Sequence, residues 1–153
     1  MGMSERFAVP TIPVAKAREA LPRYLEDARR HLLQIVTRHD RDPVALVSVD
    51  DLRELVRAHR IETEAAVHPG EATVSLPQFR IIGIGETLSA AADDAVEKLR
   101  EYAQDYLRRY EFYRHTDRRD LLPVVFRFLL TPEDRQLELL LEPEGTAAAA
   151  VPA

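Results

Sequence analysis

The stretch that decides the fold runs from Ala17-Arg18-Glu19-Ala20-Leu21, through Ile35-Val36-Thr37-Arg38-His39, to Pro43-Val44-Ala45-Leu46-Val47-Ser48. From Val14 the apolar positions Ala17, Leu21, Leu25 and Ala28 recur at helical spacing. Pro22 interrupts them, because a proline removes a helix donor and must open a new segment or kink the old one. One broken helix is expected. Leu32–Thr37 and Val44–Val49 are rich in Val, Ile and Leu and flank the polar run Arg38-His39-Asp40-Arg41-Asp42-Pro43, which predicts a β-hairpin with a six-residue turn.

Working outward, Phe7–Ile12 alternates loosely between prolines and reads as a short edge strand, where a missing N–H is tolerated. Asp50 is the expected N-cap of a helix whose apolar face is Leu52, Leu55 and Val56. The first domain then closes near Arg60 as strand, helix, hairpin, helix. Residues 61–72, holding His68-Pro69-Gly70, show no period and read as a linker. Beyond them Thr73–Leu76 and Phe79–Ile84 are strand material ending in Gly83-Ile84-Gly85, with Thr87 as a helix cap.

The longest helix follows. Leu88, Ala91, Ala92, Ala95, Val96, Leu99, Tyr102, Ala103, Tyr106, Leu107 and Tyr110 form its apolar stripe. Leu121–Leu130 is read as a further strand, and Thr131-Pro132-Glu133-Asp134 as a capped helix start. The alanine-rich segment 145–153 has little apolar bulk and is expected to be mobile. The fold class is therefore α+β: a small domain over 1–60, and a second small α+β domain over 73–144 built on one long amphipathic helix.

The chain has 153 residues and no cysteine, which leaves no disulfide, thiolate metal site or cysteine nucleophile. No stretch approaches the ~20 apolar residues of a membrane span, and Met1–Pro13 lacks the pattern of a leader, so a cytoplasmic protein without membrane association is expected. Net charge is -5 but uneven. Residues 1–60 carry 11 Lys/Arg against 9 Asp/Glu, and residues 61–153 carry 10 against 17, balances of +2 and -7. A mildly basic head suits phosphates, and an acidic body suits a basic protein.

The first sixty residues resemble the N-terminal domain of the Phd/YefM antitoxins. That family's recurring pattern is an "ARxxL" helix, a strand ending "ITRxG", a strand "PVAVLVS" and a short acidic-capped helix. The resemblance implies that two subunits pair and present basic side chains from the first helix and the hairpin tip to palindromic operator DNA. It places Arg18 at the family's helix arginine and Arg38 at the arginine of "ITR". A guanidinium can fork onto two phosphate oxygens or a guanine edge and stays charged at any working pH. Lys16, Arg23, His39 and Arg41 are the second-rank DNA contacts, and the acids Asp40 and Asp42 depart from the neutral residues usual at that turn.

Leu76–Tyr110 also resembles part of a HicB-type antitoxin domain, in which a strand pair ending "G-x-G-x-T" leads into a helix; the acidic lead-in of that family is absent, and no residue role is carried over from it. Together the resemblances imply an antitoxin of a bacterial type II toxin-antitoxin system that neutralises a toxin through its C-terminal half and represses its own operon through its N-terminal half. Tyr102, Tyr106, Tyr110 and Tyr113, with Phe112 beside them, form an aromatic ridge; core or dimer packing is the default at that spacing, and the toxin's grip on such a ridge is the second reading.

The alternative is a stand-alone transcriptional regulator or dimerisation module with no cognate toxin. A nuclease is the third reading, but Asp93, Asp94 and Glu97 lie on one helix face rather than converging from several elements. No enzyme activity and no cofactor is expected. No metal is expected either, since His31, His39, His59, His68 and His115 lack ligand spacing. The expected partners are operator DNA, a toxin protein and a second copy of the chain in a homodimer or higher oligomer.

Overall fold

The computed structural model describes residues 5–142. The segment 145–153, expected to be mobile, lies outside them. The chain divides into two compact units, Met1–Leu55 and Val56–Ala153. Among the described residues no helix is long and apolar enough to cross a membrane.

The first unit contains strand β1 (Thr11–Pro13), helices α1 (Val14–Glu19) and α2 (Leu21–Arg29), strands β2 (Gln34–Arg38) and β3 (Arg41–Leu46), and helix α3 (Val49–Val56), which reaches the boundary. Its sheet has the order β1-β2-β3, with β1 parallel and β3 antiparallel to β2. β1 sits later than the 7–12 predicted, because the bond from Ile35 N–H to Pro10 O starts the pairing only there. The broken helix is present: Ala20, at φ -131°, separates α1 from α2, and Pro22 sits in the first turn of α2, where its missing donor costs nothing. α2 ends with His31 left-handed at φ 71°, the Leu32 N–H reaching back to Asp27 O and the His31 N–H to Ala28 O.

The hairpin turn is shorter than predicted. Arg38 and Arg41 pair as strand residues, leaving only His39 and Asp40 in the turn, both left-handed at φ 51° and 56°, the signature of a tight type I′ turn. Pro43 is accepted within β3 because β3 is a sheet edge. The cap of α3 is Ser48 rather than Asp50: Ser48 Oγ accepts the Asp51 N–H at 3.1 Å, and Asp50 and Asp51 stand in the positive first turn.

The second unit opens with a correction. Residues 61–72, read as a linker, instead contain β4 (Glu64–His68), which pairs antiparallel with β5 (Glu71–Leu76) across the turn Pro69-Gly70, where Gly70 takes φ 81°. Alanine, glutamate and histidine carry little strand signal of their own, so pairing rather than propensity holds β4. Arg60, predicted to end the first domain, is bonded within the second unit, to Glu142 O at 2.8 Å. β5 then pairs with β6 (Ile81–Gly85) to complete a sheet of order β4-β5-β6.

Helix α4 (Leu88–Arg108) covers one face of this sheet, its N-terminus capped as expected by Thr87, whose hydroxyl accepts the Ala90 N–H at 3.1 Å. Gly83 and Gly85 allow the close approach: a Cβ on Gly83 would lie 2.6 Å from Ala95 N, and one on Gly85 2.6 Å from Ala91 N. After α5 (Tyr110–Tyr113), the apolar run predicted as a strand forms helix α6 (Leu122–Leu130). Its buried residues Val124, Val125 and Phe128 have helical spacing, and Pro123 falls in the first turn. Thr131 does not cap a helix; its hydroxyl donates to Arg127 O at 2.8 Å, and α7 (Gln136–Leu140) starts only after a 3-10 turn.

The cores are unequal. Among the described residues, the second unit buries a cluster of seventeen side chains, with Tyr106, Phe128, Leu76, Leu99 and Val125 fully enclosed. The first unit's cluster is Ile12, Ala17 and Tyr24.

Candidate nucleic-acid and partner interfaces

In the first unit, the parallel pairing of β1 with β2 fixes where the basic residues go. Pro13 lies opposite Thr37, so α1, starting at Val14, leaves the sheet at the end where the β2–β3 turn projects. α1 packs on β1 and β2. Lys16 and Arg18 on α1, and Arg38, His39 and Arg41 at the turn, are all exposed on this part of the unit. Arg23 belongs to α2 instead, with its guanidinium carbon 6.0 Å from the Tyr24 ring centroid.

The field at this end is tempered by acids. Arg38 is paired with Asp42 at 3.3 Å, with about 70% of each side chain exposed. Such a pair contributes little to stability and is readily exchanged for a phosphate. Sequence reasoning overlooked Thr37, beside Arg38: it is buried, and its hydroxyl has no hydrogen-bond partner among the described residues. Alternation in "IVTR" was the available signal, since it puts Ile35 and Thr37 on one face.

The tyrosine ridge of the second unit is mostly core, which corrects the expectation for Tyr106. That side chain has no exposed surface, and its hydroxyl donates to Arg118 O at 2.6 Å. Its ring stacks on Tyr102 at 6.1 Å and on Tyr113 at 5.1 Å between centroids. Burial pushes the Tyr106 hydroxyl up to about 12 and raises that of Tyr102 as well, against the lowering effect of Arg118, whose guanidinium donates to Tyr102 Oη at 2.6 Å. Tyr102, Tyr110 and Tyr113 are half-buried. The exposed member of the cluster is Phe112, which the sequence reading placed only beside the ridge; Arg109 lies 5.4 Å from its ring centroid.

A groove of about 940 Å³ also opens on the second unit, lined by apolar Ile61, Leu88, Leu121 and Leu140 and by charged Arg60, Glu62, Asp120 and Glu142. Among the described residues no group of three His, Asp or Glu side chains could hold a metal ion.

No curated protein matches the chain. A crystal structure from Syntrophomonas wolfei subsp. wolfei, described as the antitoxin part of a proposed toxin/antitoxin system, shares the fold with a TM-score of 0.69. The two are 22% identical, over 86% of this chain and 96% of that one. A family model named PHD-like, described as the antitoxin of RelE/RelB toxin-antitoxin systems, matches residues 9–143. With nearly the whole chain inside that match, the protein belongs to the PHD-like antitoxin family.

Proposed function

We propose that this antitoxin is a two-part molecule of the Phd/YefM type, whose first unit dimerises and represses its own operon while its second unit covers a toxin. The observation that carries the DNA-binding part is the shared end of the first sheet, where α1 and the hairpin turn expose Lys16, Arg18, Arg38 and Arg41. Phosphate contacts from such residues position a protein, and an arginine reaching a base edge adds sequence preference.

Dimerisation is supported by apolar surface. Val14, Leu21, Leu25, Leu32, Leu33 and Val44 are each more than two-fifths exposed in a unit whose own buried cluster is three residues. A surface of that kind on so small a core is what a second copy covers.

Toxin binding falls to the acidic second unit, on a surface that includes Phe112 and the accessible edges of Tyr102, Tyr110 and Tyr113. The strand β6, its two close-packed glycines and the capped α4 support the HicB-like part of this reading. Many RNA-cutting toxins are basic, and residues 61–153 carry the charge of -7 that would complement one.

The test is fluorescence anisotropy of the purified protein on its own upstream promoter and on scrambled DNA across a salt series, with Arg18→Ala and Arg38→Ala in parallel. Preference for the promoter with a steep salt slope is expected. Each variant should flatten that slope by about one unit if its arginine holds a phosphate, and relax the preference if it reads a base. Equal affinity for both DNAs, or full binding by both variants, would overturn the DNA-reading half of the proposal.

A further inference from the structure

The two edges of the second sheet are treated differently. On the β6 edge, Asp94 and Lys98 of α4 act in place of a neighbouring strand: Asp94 Oδ2 accepts the Ile84 N–H at 2.9 Å, and Lys98 Nζ donates to Ile82 O at 2.8 Å. The two side chains also pair with each other at 2.8 Å. An occupied edge of this kind resists strand addition.

These bonds fix the parity of the whole sheet. Ile82 and Ile84 direct their backbone groups outward, so Ile81, Gly83 and Gly85 bond to Leu76, Val74 and Ala72 of β5. Glu71, Thr73 and Ser75 then bond to His68, Ala66 and Glu64 of β4, leaving the N–H and C=O groups of Ala65 and Val67 facing away from the sheet. No group among the described residues bonds them. All five residues of β4 are exposed, Val67 at 68%.

The geometry points to β4 as a self-association strand that pairs antiparallel with β4 of a second copy, about a twofold axis through Ala66. The sequence Glu64-Ala65-Ala66-Val67-His68 is self-complementary in that register. Ala65 meets Val67 of the other copy as a hydrogen-bonded pair, and each such pair exchanges two bonds, giving four in all. Glu64 meets His68 of the other copy at the adjoining non-bonded positions, where side chains stand closest and a carboxylate can accept from an imidazole N–H. Within one copy, neither Glu64 nor His68 has an ion-pair partner among the described residues; the remaining charged group opposite His68 is Glu71, its partner in β5. The product is a continuous six-stranded sheet closed by twofold symmetry, with both of its outer edges held by Asp94 and Lys98. The pairing is separate from the apolar surface of the first unit and does not depend on DNA reading.

The absence of cysteine makes the register directly testable in the full chain. On the twofold axis, the two copies of residue 66 face each other across a non-bonded pair with Cα atoms about 4.5 Å apart, within disulfide reach. The two copies of residue 65 are offset by two positions and stand about 8 Å apart, outside it. Under mild oxidation Ala66→Cys should give a covalent dimer on a non-reducing gel at about tenfold the yield of Ala65→Cys. Adding Val67→Pro to Ala66→Cys should abolish the cross-link, since it removes an outward N–H that β5 does not use, and Val67→Lys provides the same block with the backbone donor intact. Equal yields from positions 65 and 66, no cross-link at 66, or a cross-link that survives both blocking substitutions would overturn the pairing.

Discussion

Tyr106 sits where a hydroxyl is least comfortable, with no exposed surface and one strong acceptor, Arg118 O, at 2.6 Å. Ionising it inside the core is costly, and its value rises from 10.0 to about 12. The sign follows from linkage. The folded chain holds this proton more tightly than the unfolded chain, so the contribution is intact below pH 10 and is lost as pH rises toward about 12. Tyr102 adds in the same direction. Tyr106→Phe should cost about 1–2 kcal/mol at neutral pH by leaving Arg118 O without its donor. It should also make stability less sensitive to alkali. Urea unfolding at pH 8 and at several points between pH 10 and 12 checks both, and an unchanged alkaline slope would show that Tyr106 does not carry it. The stripe Tyr102, Tyr106, Tyr110 and its packing on a core were legible from spacing, but the complete enclosure of Tyr106 was not. That depends on Arg118 and Arg119, in a 3-10 turn whose sequence carries no periodic signal.

At the scale of elements, the close packing of β6 on α4 rests on the absence of two side chains. A Cβ at Gly83 or Gly85 would run into the backbone of α4, which cannot move aside without lifting the helix from the sheet. Gly83→Ala should therefore destabilise by about 1–3 kcal/mol or more through overpacking. Gly70→Ala is the informative contrast. Its Cβ meets nothing within 4 Å, so its cost is only the left-handed backbone at φ 81°, about 1–2 kcal/mol. Thermal unfolding of both variants should rank them in that order; a Gly70 variant as damaged as Gly83 would mean that steric approach is not what the β6 glycine secures. Elements with a strong local pattern, such as the 21 residues of α4, the break at Pro22 and the hairpin, were legible in the sequence. β4 was not, because its pairing partner rather than its composition makes it a strand. The run 121–130 was misread because a short, continuously apolar stretch fits a buried helix as well as a strand, and only the tertiary setting selects between them.

At the scale of the molecule, the two units differ in how much each can do alone. Among the described residues the second encloses seventeen side chains, and its buried Gln136 side chain accepts from Arg100 at 2.8 Å and 3.0 Å. Among the described residues the first has a buried cluster of Ile12, Ala17 and Tyr24, while Val14, Leu21, Leu25, Leu32, Leu33 and Val44 are among the larger apolar residues that stay exposed, so a surface that covered them would add hydrophobic stabilisation. In the proposed dimer, association acts as a ligand for the folded first unit, adding stability that rises with protein concentration. Backbone amide exchange followed by mass spectrometry should find β5, β6 and α4 the slowest segments at every concentration. The amides of β2, β3 and α2 should exchange faster and lose further protection as the protein is diluted through the range where oligomers dissociate. Exchange in the first unit that is slow and indifferent to dilution would mean that its small core suffices. The exposed Val14, Leu21, Leu25 and Val44 would then be a surface for a partner other than a second copy.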